Sequence, residues 1–258
     1  MNASANLVAL NTIVRREIAR IMRIWTQTLI PPAITMTLYF VIFGKLIGSR
    51  IGTIEGGFTY MQYIVPGLVM MSIITNSYGN ISSSFFGAKF SRAVEEMLVS
   101  PMPNWVILLG YVTGAVVRGV AVGALVLVIA LFFTKLHVVH PLITFASVIL
   151  GATIFSLAGF VNAVYAKKFD DIALVPTFVL TPLTYLGGVF YSVNMLSEPW
   201  QSISRVNPIL YMVNAFRFGV LGVSDVQIGV AFAVMLAFVV GLSIVALQLL
   251  KRGVGLRS

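Results

Sequence analysis

Uncharged, apolar stretches recur along the chain at lengths that match the thickness of a bilayer. About 20 apolar residues in a helix cross the hydrocarbon core, since each residue adds about 1.5 Å. The stretches that meet this length cover residues 24–44, 60–86, 105–134, 141–166, 172–191 and 226–250. The sequence therefore predicts an all-α membrane protein with six transmembrane helices.

The first 23 residues are too polar to span the bilayer, but their apolar positions recur at helical spacing. These positions are Leu7, Leu10, Val14, Ile18 and Ile21. Basic side chains lie on the other faces, at Arg15, Arg16, Arg20 and Arg23. This pattern predicts an amphipathic helix in the membrane interface.

The segment between the second and third predicted spans combines charge with helical periodicity. Residues 88–104 carry Glu95 and Glu96 among apolar residues and end at Pro101 and Pro103. A short amphipathic helix outside the membrane fits this pattern, either as a docking element for a partner or as a solvated loop helix. The residues alone leave both readings open.

The segment between the fifth and sixth predicted spans is too interrupted to cross the membrane. Residues 192–224 are rich in Ile, Leu, Tyr and Phe but are broken at Asn207 and Pro208. Because proline ends a helix and apolar side chains favour lipid, this segment predicts two short re-entrant helices on the external side.

Composition agrees with a lipid-embedded chain. Hydrophobic residues make up 59% of its 258 residues and charged residues only 10%, against roughly 25% charged in an ordinary soluble domain. The net charge of +9 does not predict nucleic-acid binding, because the basic residues flank apolar stretches where anionic headgroups explain them. The chain has no cysteine and two histidines, so no metal site is expected.

The distribution of basic residues predicts the orientation. With six spans both termini lie on one side of the membrane, and most of the basic residues fall on that side. They are Arg15, Arg16, Arg20, Arg23, Lys89, Arg92, Lys167, Lys168, Lys251, Arg252 and Arg257. The positive-inside rule then places both termini in the cytoplasm.

Acidic residues are few, and all eight fall at or beyond the ends of the predicted spans. A proton relay or an ion-binding carboxylate is expected mid-membrane, so this pattern argues against a secondary transporter or channel. The only Gly-Lys dipeptide, Gly44-Lys45, lacks the rest of a phosphate-binding loop. The sequence also lacks the cluster of catalytic residues that a membrane enzyme would need. If ATP drives this protein, another chain hydrolyses it.

Arg118 is the one charge well inside a predicted span. Placing a guanidinium there costs several kcal/mol unless it is paired or hydrated. Its partner could be an anionic headgroup, or the residue could switch between states. Alternatively it ties to backbone carbonyls or a cytoplasmic-side acid, or extends to the outer interface.

Three motifs resemble the permeases that contain an ABC transmembrane type-2 domain. They are EEMLVSPMP at 95–103, NPILYM at 207–212 with Phe216 and Arg217, and PLTYLGGVF at 182–190, which follows Phe169, Asp170 and Asp171. The likeness extends over essentially the whole chain, and the motifs are specific only in combination.

This resemblance implies the permease half of an ATP-binding cassette exporter. Residues 1–23 would be the cytoplasmic interfacial helix, 24–250 the transmembrane domain and 251–258 a cytoplasmic tail. The chain would hold no cofactor. ATP and Mg²⁺ would bind a cytoplasmic ATPase subunit, present in two copies, and a second permease copy would complete a homodimer in the bacterial inner membrane.

The resemblance also implies roles for particular residues. Coupling to the ATPase would fall to Arg92, Glu95, Glu96, Met97, Leu98 and Pro101, and the external gate to Asn207, Pro208, Tyr211, Phe216 and Arg217. A path along the dimer seam would be lined by Phe40, Phe43, Tyr78, Phe178 and Tyr185. Such aromatic residues suit an amphipathic or hydrophobic substrate. Arg118 matches no motif of the family.

Overall fold

The structure, a computed structural model, describes residues 3–54 and 57–255, without the side chains of Lys45 and Ser49. Residues 1–2 of the predicted interfacial helix, the acidic residue Glu55 and residues 256–258 of the predicted tail lie outside the described residues. The described part is helical, and its only β pairing is an isolated bridge between Thr53 and Thr59.

The first half of the chain forms a series of helices of very different length. They are α1 (Ala3–Arg23), α2 (Trp25–Tyr39), a π-helical segment (Phe40–Ile47), α3 (Gly48–Ile51), α4 (Tyr60–Phe90), α5 (Ala93–Val99) and α6 (Asn104–Leu131). Thr59 and Gln62 form a capping box that fixes the start of α4. The predicted interfacial helix and the short helix at Glu95 are both present as helices.

The second half continues with α7 (Pro141–Tyr165), α8 (Phe169–Val175), a π-helical turn (Pro176–Leu180), α9 (Thr181–Leu186), a 3₁₀ turn (Val193–Met195), α10 (Glu198–Val206), α11 (Pro208–Leu221) and α12 (Ile228–Arg252). The helices α11 and α12 end at Gly222 and Gly253, whose φ angles of 79° and 65° lie in the left-handed region. Glycine adopts this region without steric cost, so both helices stop there. The break expected at Asn207 and Pro208 separates α10 from α11.

Within the part of the chain that the structure describes, five helical stretches are long and apolar enough to cross a membrane. They are Trp25–Gly44, Asn104–Leu131, Pro141–Tyr165, Phe169–Leu186 and Ile228–Arg252. Each overlaps one of the predicted spans. The predicted span at 60–86 corresponds to α4, which has 31 residues but is not among these five. Serine and asparagine residues between Ser72 and Ser84 make α4 more polar than the other long helices.

The polar helix α4 is the centre of the bundle. It packs most extensively on α7 and α6 and also contacts α11. Its first part, up to Tyr78, belongs to one hydrophobic core, and Ile81, Phe85 and Phe86 belong to a second. Because its neighbours enclose it, α4 can carry serine and asparagine along its length while its apolar side chains fill both cores.

Helix α1 packs on α6 along a line of its own. Ile13, Glu17 and Ile21 are buried on this line, whereas Leu7 is 64% exposed. Of the apolar positions that define the predicted interfacial face, Ile21 is thus buried against the bundle and Leu7 is not. Hydrophobic periodicity could not find this line, since an acidic residue lies in its middle.

Two glycine pairs on α6 receive two different helices. A Cβ atom on Gly110 would lie 2.5 Å from Ile13 of α1, and one on Gly114 would lie 2.5 Å from Glu17 of the same helix. A Cβ atom on Gly123 would lie 2.5 Å from Ile73 of α4, and Gly119 faces Ser77 still more closely. Small residues four positions apart let helices approach closely. The two pairs therefore fix α1 and α4 side by side on α6.

We expect Gly159→Ala to destabilise the bundle, because a Cβ atom there would lie 2.6 Å from the backbone oxygen of Tyr78. Overpacking of this kind costs about 1–3 kcal/mol. Gly79→Ala is the matched control, because no atom of the described residues lies within 4 Å of its added Cβ. Thermal unfolding of the detergent-purified variants measures both effects, and equal melting temperatures for the two would contradict this packing.

Candidate functional site

A buried carboxylate lies where α1, α4 and α6 meet. The side chain of Glu17 is only 2% exposed, and its Oε2 atom lies 3.1 Å from Nη2 of Arg20. The hydroxyl of Ser84 donates to both carboxylate oxygens at 2.7 Å. Arg16 extends along the same face of α1 and donates to the hydroxyl of Tyr111. Nη2 of Arg16 also lies 3.9 Å from Oε1 of Glu17, so the carboxylate is satisfied by two ion pairs and one hydroxyl.

Arg118 has a partner in this same cluster. Its Nη1 atom donates to Oδ1 of Asn80 at 3.4 Å, and Nη2 of Arg20 donates to the same oxygen at 2.7 Å. Asn80 is fully buried. The structure thus gives Arg118 a partner that was not among the predicted alternatives, a side-chain amide on α4. We call Arg16, Glu17, Arg20, Asn80 and Arg118 the inner polar cluster.

A cleft of about 440 Å³ opens beside the inner polar cluster. It lies between the second half of α1, the last turns of α4 and the start of α5. Its lining consists of Arg16, Glu17, Ala19, Arg20, Arg23, Ser83, Ser84, Gly87, Ala88, Ser91 and Ala93. Three of the four arginines of the predicted interfacial helix thus line one cavity, and Arg15 does not.

A second polar network holds Arg217, whose guanidinium is fully buried. Its Nη2 atom donates to the carbonyl of Gly188 at 2.6 Å, and its Cζ atom lies 4.0 Å from the centre of the Tyr63 ring. An oxygen of Asp225 lies 4.0 Å from Nη1. Arg217 lies outside the predicted spans, on α11, and is nevertheless more completely buried than Arg118, the one charge inside a predicted span.

Asp225 ties together three parts of the chain. It accepts hydrogen bonds from the Ser192 hydroxyl at 2.8 Å and from the Val193 amide at 3.0 Å. Its own amide donates to Oδ1 of Asn214 at 2.8 Å. With Arg217 it forms the outer polar network, which joins α11 to α4 and to the chain that follows α9. Asp225 was not predicted as a site residue. It lies eight positions after Arg217 and just beyond the turn at Gly222, and a turn at this spacing can bring the two side chains together.

The remaining residues of the predicted gate have structural contacts. Asn207 accepts a hydrogen bond from the Ile209 amide at 3.0 Å, so it caps α11, and Pro208 occupies the first turn. Tyr211 donates its hydroxyl to the Arg205 carbonyl at 2.7 Å. Phe216 is buried in the core next to Arg217.

The predicted coupling residues lie on and around the seven-residue helix α5. Arg92 precedes it with a φ of 62°, the one described residue other than glycine with a left-handed backbone. Val94 is buried and anchors the helix to the second core. Glu96 and Pro101 are exposed, and Val99 is 87% exposed, whereas Glu95, Met97 and Leu98 are half-buried. One face of α5 is thus fixed to the bundle and the other points away from it.

The five predicted path residues do not share one surface. Phe40 and Tyr78 are buried in the core. Phe43 and Tyr185 both pack on Phe190, with ring centres 5.1 and 5.7 Å away. Phe178 is 71% exposed and lies apart from them.

Comparison with known proteins identifies the family. The family description "ABC-2 type transporter" matches residues 8–221. The chain belongs to the ABC-2 type transporter family. It is 58% identical over 251 residues to the inner membrane transport permease YadH of Escherichia coli K12, covering 97% of this chain and 98% of that protein. It is also 22% identical over 216 residues to nodulation protein J of Rhizobium leguminosarum bv. viciae, covering 83% of each chain.

Membership of the ABC-2 type transporter family confirms the resemblance found in the sequence motifs. The family consists of transport permeases, and the apolar helices described above agree with a membrane-embedded permease. The structure adds that two motifs of the resemblance meet: NPILYM opens α11, and PLTYLGGVF supplies Gly188, whose carbonyl accepts a hydrogen bond from Arg217.

We expect Asp225→Asn to lower the stability of the folded protein by about 3 kcal/mol, because removing one charge of a buried pair leaves the other uncompensated. Arg217→Met should be similarly costly, and the double variant should lose less than the sum of the two. Asp170→Asn, at an exposed acidic residue, is the control. A melting temperature of Asp225→Asn equal to that of the control would contradict a structural role for the outer polar network.

Proposed function

We propose that this chain is the permease subunit of an ATP-binding cassette exporter of the bacterial inner membrane. It moves an amphipathic or hydrophobic substrate with ATP that a separate cytoplasmic subunit hydrolyses. Two copies of this chain pair along a seam, and each docks one ATPase subunit, which holds ATP and Mg²⁺. Membership of a permease family supports the transport role, and the geometry of α5 supports the coupling role.

In this proposal α4 is also a transmembrane helix, the second along the chain, and it brings the number of spans to six. Its 31 residues extend about 46 Å at 1.5 Å per residue, more than the roughly 30 Å hydrocarbon core requires. Many of its polar side chains, among them Ser72, Ser77 and Asn80, are buried in the bundle, so lipid does not have to accommodate them. An even number of spans then leaves both termini in the cytoplasm, on the side with most of the basic residues.

The helices α10 and α11 form the re-entrant pair on the external side. The 14 residues of α11 extend only about 21 Å, too short to cross. Its last turn meets the start of α7, where the His140 amide donates to the Gly219 carbonyl at 2.8 Å. Its first residues lie beside the end of α9, because Asn207 donates to the Leu183 carbonyl. This placement keeps both ends of α11 near the external ends of α7 and α9, as a re-entrant pair with α10 requires.

The observation that carries the coupling role is the placement of α5. It joins α4 and α6, two of the three helices of the inner polar cluster, and is anchored by Val94. Its exposed side presents Glu96 and Val99. A force on α5 acts directly on the end of α4, so closure of the ATPase subunits would tilt the central helix of the bundle.

We expect Glu95→Lys combined with Glu96→Lys to lower the amount of ATPase subunit that co-purifies by about tenfold, because opposite charges steer and hold such contacts. Membrane insertion should stay unchanged, as measured by the yield of folded permease. The control is Glu198→Lys, at an exposed acid on the proposed external side. Unchanged ATPase association in the double variant would refute the coupling role. Transport by the purified chain without a nucleotide-hydrolysing companion would instead favour a secondary transporter.

The absence of cysteine from the sequence permits a direct test of topology. Val99→Cys and Glu198→Cys each place a single thiol at an exposed position. In intact spheroplasts, a membrane-impermeant maleimide should label Glu198→Cys and leave Val99→Cys unlabelled until the membrane is opened. Labelling of Val99→Cys in intact cells would overturn the proposed orientation.

A further inference from the structure

We infer that the cleft between α1, α4 and α5 binds the phosphate group of an anionic amphiphile from the cytoplasmic leaflet. The inference rests on the proposed function for its orientation and gives that function a substrate class. The proposed site comprises the three arginines that line the cleft and the polar face of α4 that continues beyond them.

The lining of the cleft is rich in arginine. Arg16, Arg20 and Arg23 line it, and Glu17 is the only acidic residue among its lining residues. Arg20 already pairs with Glu17, while the side chain of Arg16 is still 50% exposed. The cleft therefore keeps an excess of guanidinium groups beside a low-dielectric bundle. Arginine binds phosphate through paired, charge-assisted hydrogen bonds, so an anion of this kind would offset that excess.

Hydrogen-bond donors are in excess immediately beyond the cleft. No described residue accepts a hydrogen bond from Nδ2 of Asn80 or from Nε of Arg118, although both atoms are buried. The one amide oxygen between them already receives Arg20 and Arg118. Buried donors of this kind are costly when unpaired, and an anion supplies several acceptors at once.

Helix α4 has an exposed polar face beside the cleft. Thr75, Gly79 and Ser83 recur every four residues and are exposed in the described structure, and an added Cβ on Gly79 would meet no described atom within 4 Å. This face begins at the cleft with Ser83 and passes beside Asn80. In a transmembrane helix, an exposed row of small polar residues gives a charged headgroup a route that lipid-facing leucine or valine would not.

Apolar side chains next to the cleft favour an amphiphile over a soluble phosphate compound. Met22 is 65% exposed, Trp25 53% and Phe90 68%. Met22 and Trp25 flank Arg23 closely in sequence, and Phe90 directly precedes Ser91 of the cleft. A ligand with a phosphate headgroup and an acyl tail would satisfy both the arginines and these exposed apolar groups.

The test uses the purified full-length chain in a neutral detergent, with binding measured by native mass spectrometry. The probes are phosphatidylglycerol, phosphatidylcholine of the same chain length, and inorganic phosphate. We expect phosphatidylglycerol to bind about tenfold more tightly than phosphatidylcholine, because phosphatidylcholine carries the same phosphate but adds a quaternary ammonium that the arginines repel. Inorganic phosphate should bind more weakly than the lipid.

The variants separate the cleft from the general basic character of α1. Arg23→Gln and Arg16→Gln should each weaken phosphatidylglycerol binding by about tenfold, while Glu17 keeps its pairing with Arg20. Arg15→Gln is the matched control, because Arg15 is an exposed arginine on the same helix that does not line the cleft. It should bind within about twofold of the wild type.

Three results would overturn the inference. They are equal affinity for the two lipids, equal affinity in the Arg15, Arg16 and Arg23 variants, and binding of inorganic phosphate as tight as that of phosphatidylglycerol. The last result would assign the cleft to a soluble phosphate compound. Because no ATPase subunit takes part in this assay, its failure leaves the coupling role of α5 untouched.

Discussion

The structure depends on the cost of placing charged groups in apolar surroundings, where an unpaired charge loses its hydration without compensation. Glu17 and Arg217 are both almost completely buried, and each lies in a network that supplies its counter-charge. The inner polar cluster joins α1, α4 and α6, and the outer polar network joins α11, α4 and the loop before α12. These networks restrict how the helices can slide against one another, because a shift would break charge-assisted hydrogen bonds.

Close helix approach is what makes the inner polar cluster possible. Gly110 and Gly114 admit α1, and Gly119 and Gly123 admit α4, to the same helix α6. With larger residues at these positions, the Glu17 carboxylate would be held away from α4 and could not reach the Ser84 hydroxyl. The glycine pairs, which by themselves indicate only ordinary packing, therefore determine the electrostatics of the site.

Helix α4 connects the two ends of the molecule. Tyr63 near its start covers the guanidinium of Arg217, and Asn80 further along receives Arg20 and Arg118. The two positions are about 26 Å apart along the helix axis. In the proposed exporter, α5 transmits motion of the ATPase to the far end of this same helix, so one rigid element links the coupling segment, the headgroup cleft and the external re-entrant helices. The aromatic residues first assigned to the path do not form one surface, whereas the polar face of α4 is continuous.

The sequence alone determined the membrane class, the approximate positions of the long helices and the family, because hydrophobic length and short motifs are local properties. It also located α5 and the break at Asn207. It could not determine which face of α1 is buried, since Glu17 interrupts the apolar periodicity and is accommodated by Arg16 and Arg20 of its own helix and by Ser84 of α4. Nor could it pair Arg118 with Asn80, because those partners meet only after the helices pack. The tertiary structure decided which charges are buried, because a charge in an apolar bundle is stable only where the packed helices bring its partners to it.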